Sequence, residues 1–421
     1  TGKPNIIDQS SSVHIDPTSE VDMENVTRLV PPEINPDGTK LLIAIQSGPV
    51  KVVDVESGKL LFQQVNPRYP GIAYAHFSPD GNKMIAGWRY YDNEPDRTDT
   101  NSIVLNVTDG KIMFKTEATS AKFSADNAKL IATTTGSPKV IDAATGKFLY
   151  AFKCNSCEES SNAVFTPDSK KVFTTTWPEG LGYFWNADDG AFLYPLKGKG
   201  IYGGVKFSPD SKKMITLTDS LGISVWNVAD GSLLYKLHGH KDELNFFEFS
   251  PDNKKIVSTS KDNTAILWDA ETGNNLYSFF AVDSSDYFVQ LPTGYYKCTP
   301  NASKLLHYLS PDLKIISFEQ LDVKYNRPDL VLKAMGNTDT VLVNTYQNAY
   351  YKRIKKLGID TSSFRDGYSV PEADFIERDR IAPDQTTENL ALHIKGIDSS
   401  FKLDRFNVWV NEVPVFGQRG R

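Results

Sequence analysis

Ser78-Pro79-Asp80-Gly81 is a tight-turn sequence, and it recurs along the chain. Its other copies are Pro36-Asp37-Gly38, Ser124-Ala125-Asp126-Asn127, Thr166-Pro167-Asp168-Ser169, Ser208-Pro209-Asp210-Ser211 and Ser250-Pro251-Asp252-Asn253. The Asp residues lie 43, 46, 42, 42 and 42 positions apart. Pro sets the turn, Asp bonds the backbone ahead of it, and Gly or Asn tolerates a left-handed conformation. A fixed period of this length marks stacked supersecondary units, none of which can bury its apolar face alone. Such a stack is a recognition platform, and any chemistry is expected elsewhere.

The second half of each unit repeats too. A short apolar run ends in an acidic or amide residue, followed by a glycine turn: Val53-Asp54…Gly58, Leu105-Asn106…Gly110, Ile141-Asp142…Gly146, Trp185-Asn186…Gly190, Trp226-Asn227…Gly231 and Trp268-Asp269…Gly273. β-rich runs of four to six residues between such turns read as antiparallel hairpins. Four strands at this period make one blade of a β-propeller.

The sixth unit carries Leu237-His238-Gly239-His240, Asp262 and Trp268-Asp269. With these residues the chain resembles the WD-repeat family, whose Gly-His…Trp-Asp frame the six units follow with varying loss. The resemblance implies a buried hydrogen-bonded tetrad of His240, Asp262, Trp268 and a strand hydroxyl, Ser258 or Ser260, with Ser258 preferred. The competing reading of His, Asp and Ser is a hydrolase triad. Buried polar groups need partners, and the tetrad supplies them, so the structural role is favoured.

A seventh, degenerate unit is in phase. Tyr287-Phe288-Val289-Gln290-Leu291 reads as a strand, Pro292-Thr293-Gly294 as a turn and Tyr295-Tyr296-Lys297-Cys298 as the return, with Thr293 41 positions after Asp252. Leu305 to Tyr308 and Lys314 to Phe318 would complete it. Ile6 to Asp16 is a candidate closing strand, since a ring must be latched to remove its edges. The expected fold is therefore all-β, a seven-bladed WD-repeat propeller over residues 1–318.

The chain has 421 residues, 40% of them hydrophobic and 11% aromatic, enough for a sizeable core. The net charge of −6 and the lack of a basic stripe argue against a nucleic-acid surface. No run of 18 apolar residues exists, so no membrane-spanning helix is expected. Thr1 is not an initiator Met, and a trimmed N-terminus leaves a periplasmic or secreted setting favoured over a cytoplasmic one. Cys154-Asn155-Ser156-Cys157 is a lone C-x-x-C without a second pair or nearby histidines. It reads as inert, with a local disulfide or a metal or redox role as alternatives. Cys298 reads as a buried strand residue. No cofactor and no metal are expected.

The connections opposite the turns carry the sharper functional signal. The second unit spends 30 residues between Asp80 and Gly110, against 20 to 22 in the others. The excess holds Tyr90, Tyr91 and Arg97, and Trp177 and Tyr202 fall in corresponding loops of later units. Tyr, Trp and Arg on loops anchor interfaces. These five are the candidate partner-binding residues, against the plainer reading of a variable loop with scattered aromatics.

After Phe318 the pattern changes. Pro328-Asp329 opens a short helix to about Met335, and Thr338 or Asp339 opens a longer one in which Leu342, Tyr346, Ala349, Tyr350, Ile354 and Leu357 keep a 3.6-residue period. Lys352, Arg353, Lys355 and Lys356 crowd its last turns, where the dipole favours positive charge. Residues 319–368 thus form a two-helix linker. Residues 369–421 return to strands at Glu372 to Glu377, Leu390 to Lys395, Phe406 to Asn411 and Val413 to Gly417. These are too few for both faces of a sandwich. They read as a partial Ig-like β-sandwich completed from outside.

Three stretches of this tail, Gln320 to Leu332, Ala349 to Gly358 and Leu403 to Val415, are similar to the segment that joins propeller to protease in bacterial WD-repeat proteins with a caspase-like domain. The resemblance implies the regulatory and partner- or substrate-recognition half of a caspase-like cysteine endopeptidase. A C-terminal caspase-like fragment would complete the β domain. No catalytic residue carries over, because this chain has no matching position. Many bacterial caspase relatives prefer Arg or Lys before the cut bond, so Arg421 in Arg419-Gly420-Arg421 is a candidate autoprocessing site. The alternative is a stand-alone WD-repeat scaffold for protein–protein interaction. A propeller enzyme with a central active site is disfavoured, since no His and carboxylate cluster is shared between units.

Overall fold

The structure is a computed structural model. It describes residues 29–45, 48–66, 71–89, 101–133, 137–152, 160–176, 179–198, 201, 204–218, 221–305, 307–309, 315–357, 372–381, 384, 391–397, 403, 406, 408–410 and 413–415. The chain forms two compact units, residues 1–200 and 201–421.

Among the described residues the first unit holds four sheets of four strands. They are β1–β4 (Leu29–Ile34, Lys40–Ile45, Val50–Asp54, Leu60–Gln64), β5–β8 (Gly71–Phe77, Lys83–Arg89, Asn101–Asn106, Ile112–Glu117), β9–β12 (Ser120–Phe123, Lys129–Thr133, Lys139–Asp142, Phe148–Ala151) and β13–β16 (Ser160–Phe165, Lys171–Thr176, Gly182–Asn186, Phe192–Pro195). Each is an antiparallel meander in chain order. The second unit opens with β17–β20 (Val205–Phe207, Lys213–Leu217, Ile223–Asn227, Leu233–Leu237) and β21–β24 (Leu244–Phe249, Lys255–Ser260, Thr264–Asp269, Asn275–Ala281), built the same way.

The turns explain why the repeat is obeyed so closely. Ser78 accepts Gly81 N–H on its carbonyl at 2.8 Å, and Lys83 N–H bonds its Oγ at 2.9 Å. The carboxylate of Asp80 receives Asn82 N–H at 3.1 Å. The residue after Asp is left-handed in every copy: Gly38 at φ 77°, Gly81 at 69°, Asn127 at 60°, Ser169 at 58°, Ser211 at 60° and Asn253 at 63°. Only Gly and short polar side chains adopt that conformation cheaply, so the turn chemistry selects those residues.

The apolar core lies between neighbouring sheets. Leu42 and Val52 of the first sheet pack with Ala75, Met84 and Leu105 of the second in one buried cluster. Ile131, Val140 and Phe152 of the third pack with Val172 and Trp185 of the fourth. The second strand is buried on both faces in the third and fourth sheets, where β10 and β14 have four and five buried residues in a row. One sheet alone would expose one side of that run to water, at about 1.5–3 kcal/mol per large aliphatic side chain.

The fourth strand carries a β-bulge against the third in all six sheets, for instance between Val52 and Val53 and between Leu267 and Trp268. The bulge sets the inward aromatic of that strand against the glycine of the next sheet's turn. A Cβ on Gly110, Gly146 or Gly273 would meet Phe62, Phe114 or Tyr235 at 2.6 Å. Those glycines are required twice over, for positive φ and for this close approach.

The seventh unit is built differently from the expectation of a separate four-stranded blade. Its first hairpin, β25 (Tyr287–Gln290) and β26 (Tyr296–Cys298), continues the sixth sheet to six strands. β25 pairs with β24 in the register Ser278↔Gln290 to Ala281↔Tyr287. Aromatic contacts favour that pairing: Phe279 stacks on Tyr287 at 5.7 Å and Phe280 meets Phe288 edge-on at 5.5 Å. Among the described residues, Ala302–Leu305 turn helical (α1), and β27 (His307–Leu309) pairs only with β28 (Ile315–Ser317).

Among the described residues three helices follow rather than two: α2 (Phe318–Tyr325), α3 (Pro328–Ala334) and α4 (Thr340–Leu357). Pro328 at the first position of α3 forfeits no bond, and Gly336 at φ 77° follows its end. α4 buries the narrow stripe Val343, Tyr350 and Ile354. Beyond it, β29 (Glu372–Phe375) pairs with β30 (Ile394–Ile397), and β31 (Trp409–Val410) with β32 (Val413–Pro414). Every described residue of β30 is exposed.

Candidate functional site

The polar constellation of the sixth sheet is assembled by strand register. β22 supplies Ser258, β23 opens after Asp262 and carries Trp268, and His240 arrives from the connection that precedes β21. Trp268 Nε1–H donates to Ser258 Oγ at 2.8 Å, and Ser258 Oγ lies 2.8 Å from His240 Nε2. His240 Nδ1 lies 2.9 Å from Thr264 Oγ1 and 3.3 Å from Asp262 Oδ2. One proton arrangement satisfies the whole chain. Trp268 donates to Ser258, Ser258 donates to Nε2, and Nδ1–H donates towards Thr264 and Asp262.

Ser258 is fully buried, and the His240 side chain is 2% exposed. Partial burial resists ionisation of Asp262. The Thr264 hydroxyl, the N–H groups of Lys241 and Thr264 and the His240 ring outweigh it and hold the carboxyl at about 2. Ser260 donates to Asp242 O at 2.8 Å and accepts the backbone N–H of Asp262 at 3.1 Å. Thr264 is the member that the sequence reading missed. It sits two residues after Asp262, where a hydroxyl closes an Asx-type turn (Thr264 N–H to Asp262 Oδ1, 2.9 Å), and that spacing was the available signal.

Reduced versions occur in other sheets. Trp185 donates to Thr174 Oγ1 at 2.9 Å and Trp226 to Thr216 Oγ1 at 2.8 Å. In the second sheet Tyr74 and Ser102 share a hydrogen bond of 2.7 Å, and burial raises the Tyr74 phenol well above its ordinary value. Each set ties the second strand or its neighbour to the third within a blade. A nucleophile needs an open approach, and Ser258 has none.

A second polar junction joins the last hairpin to the helices. Tyr296, fully buried, donates to Asp322 Oδ1 at 2.7 Å, and Asp322 also pairs with Arg353. Arg327 forms a two-pronged bond to the fully buried Asp329 at 2.9 and 2.7 Å and lies over the Tyr350 ring at 4.2 Å. Burial opposes charge on Asp329, and the Arg327 guanidinium overcomes it, so the carboxyl falls below its ordinary value. Burial and the Asp322 carboxylate push the half-buried Cys298 thiol up to about 11, which leaves it a poor nucleophile.

The candidate partner-binding residues Tyr90, Tyr91, Arg97, Trp177 and Tyr202 lie outside the described residues, as do Arg421, Cys154 and Cys157. Among the described residues no group of three or more His, Cys, Asp or Glu could hold a metal ion. No described helix is long and apolar enough to cross a membrane.

Residues 231–269 match the family model "WD domain, G-beta repeat". That stretch contains His240, Ser258, Asp262 and Trp268. No curated protein matches the chain in sequence. Among solved structures, the crystal structure of the computationally designed Ika8 protein is 20% identical, covering 65% of this chain and 83% of its own, with a TM-score of 0.47. The C-terminal WD40 domain of Sif2 is 16% identical, covering 62% of this chain and 74% of its own, with a TM-score of 0.49. Among the described residues the repeats fold as antiparallel β-sheets, one of which carries the WD-repeat match, and a short helical segment follows.

Proposed function

We propose that this chain is a scaffold for protein–protein interaction, its blades framing loops that capture a protein partner. One observation carries the reading. Among the described residues, the one unit with a His, an Asp and a Ser in hydrogen-bonding reach spends them on one another, which suits a rigid frame and leaves them closed to substrate. The anchors in this reading are Tyr90, Tyr91, Arg97, Trp177 and Tyr202. The test is affinity capture with quantitative mass spectrometry from the native cells, comparing the wild type with the variant carrying Ala at those five positions. Loss of specific partners at unchanged thermal stability supports it, and equal capture by both proteins refutes it.

A finer reading rests on the three tail stretches quoted above. In it the chain is the regulatory and recognition half of a bacterial caspase-like cysteine endopeptidase. A caspase-like fragment completes the strands of residues 369–421, and Arg421 precedes a processed bond. The exposed apolar residues Ile394, Ile397, Leu403, Phe406 and Val415 support a covering partner there. Binding would regulate the peptidase only by favouring one of its states. Arg421→Ala in a polypeptide spanning both parts should block cleavage at that bond; cleavage persisting there removes this reading and leaves the scaffold.

A further inference from the structure

We propose that the outer edge of β4, residues 60–65, is a docking site for an extended segment of a protein partner, which adds to the first sheet as an antiparallel fifth strand. The proposal rests on the reading of the chain as an interaction scaffold and names one of its surfaces.

β4 ends its sheet among the described residues. Its run Leu60-Leu61-Phe62-Gln63-Gln64, continued by Val65, has neither charge nor proline. Outer strands are ordinarily protected by such residues, because an unpaired edge invites another chain. The other outer strands follow that rule more closely. β8 carries Lys115 and Glu117, β20 carries Lys236, and β16 ends in Pro195. β12 is uncharged but shorter, and its last residue leads into the buried Phe152.

β4 is also held ready for pairing. Phe62 packs against Gly110 of the second sheet, and Gln64 Nε2 donates to Gly110 O at 3.1 Å. Those inward anchors fix the strand while Leu60, Leu61 and Val65 stand 45%, 42% and 61% exposed. A partner would find a preorganised backbone edge flanked by apolar side chains, the arrangement that β-strand addition uses.

The molecule itself shows what occupies such an edge. β24 is the equivalent outer strand of the sixth sheet, and its paired residues Ser278-Phe279-Phe280-Ala281 are likewise free of charge and proline. β25 covers them with an antiparallel strand whose Tyr287 stacks on Phe279 and whose Phe288 meets Phe280 edge-on. An uncharged outer edge of this blade type thus accepts an extended polypeptide, and β4 presents the same edge. The occupant inferred is a segment alternating apolar and polar residues, with its apolar side chains on Leu60, Leu61 and Val65.

The test selects displayed random dodecapeptides on the full chain and measures their affinity by fluorescence anisotropy. The variants are Leu61→Lys and Val65→Lys, with Met113→Lys on β8 as the control. Both positions are exposed, so the folded state should survive, and circular dichroism checks it. The proposal expects selected peptides with alternating apolar residues that lose at least tenfold in affinity for the two β4 variants and keep it for the control. N-methylation of alternate peptide amides should also abolish binding in one phase only, since main-chain hydrogen bonds carry the contact. Three results would overturn it. Peptides could bind the β4 variants unchanged, which sinks this site and leaves the scaffold reading standing. Light scattering could show a dimer that Leu61→Lys dissociates, making the occupant a second copy. Backbone amides of β4 could exchange as slowly as those of β24 in the unliganded chain, meaning residues 1–28 or another segment of this chain already cover the edge.

Discussion

Asn127 Oδ1 accepts the backbone N–H of Asp80 at 2.9 Å, joining the turns of two consecutive sheets across 47 positions of chain. Ser169 Oγ reaches Asp126 N–H at 3.1 Å and Asn253 Oδ1 reaches Asp210 N–H at 3.0 Å in the same way. The residue that each turn needs for its left-handed conformation is also the residue that reaches back to the preceding sheet. Local turn chemistry and long-range stacking are therefore one requirement.

Asn127→Ala should cost about 1.5–3 kcal/mol, from the left-handed strain on Ala plus the lost bond. Asn127→Gly keeps the conformation and should cost only about 0.5–1.5 kcal/mol. Urea unfolding of the three proteins checks the order, and equal midpoints for Ala and Gly would show that strain is absent.

Gly58 and Gly273 occupy the same turn position, with φ of 65° and 75°. A Cβ on Gly58 meets nothing within 4 Å, whereas one on Gly273 meets the Tyr235 ring at 2.6 Å. Gly58→Ala should cost about 1–2 kcal/mol from backbone strain alone. Gly273→Ala should cost clearly more, and Tyr235 would shift, breaking its 2.5 Å bond to Ala270 O. Thermal melts of both variants decide it, and matching losses would mean the ring yields freely.

Ser258→Ala strips the acceptor from Trp268 Nε1–H and the donor from His240 Nε2 while leaving the carbon framework. Two orphaned buried groups should cost roughly 2–4 kcal/mol. Partner capture measured below the lowered melting point should be unchanged. A variant of normal stability that has lost a hydrolytic activity would instead make Ser258 a nucleophile.

The depressed Asp262 carboxyl makes a signed statement about pH. Its folded value of about 2 lies below the ordinary carboxyl value of 3.8, so its contribution is complete above about 4. As pH falls from about 4 to about 2 the unfolded chain takes up the proton first, and the contribution disappears. Asp80, Asp126, Asp210 and Asp269 are lowered as well, so the whole stack should lose stability in acid. Asp262→Asn should flatten part of that slope between pH 4 and 2, read from urea midpoints; an unchanged slope would show that Asp262 is not depressed.

The repeat was legible in the sequence because its determinants are local: Pro, Asp and Gly or Asn at fixed offsets specify turns, and the turns set the period. The expectation for Trp268, Ser258 and His240 came from the resemblance to the WD-repeat family, not from the turn spacing. Thr264 was harder to see, since its role depends on an Asx turn and on facing His240 across the sheet edge. The fate of the seventh unit was not legible at all. Tyr287 to Cys298 has a hairpin pattern whichever sheet it joins, and pairing with β24 is decided by the rings of Phe279 and Phe280 on a longer outer strand. α2 escaped notice because eight residues give too short a window for periodicity. The Tyr296–Asp322 bond spans 26 positions, and no spacing rule points to it.

The most direct measurement is hydrogen exchange of the full chain with and without the polypeptide it captures. The account predicts added protection in the loops that carry Tyr90, Tyr91, Arg97, Trp177 and Tyr202, with no change around His240, Ser258 and Trp268. Protection confined to residues 240–268, with those loops unaffected, would contradict it.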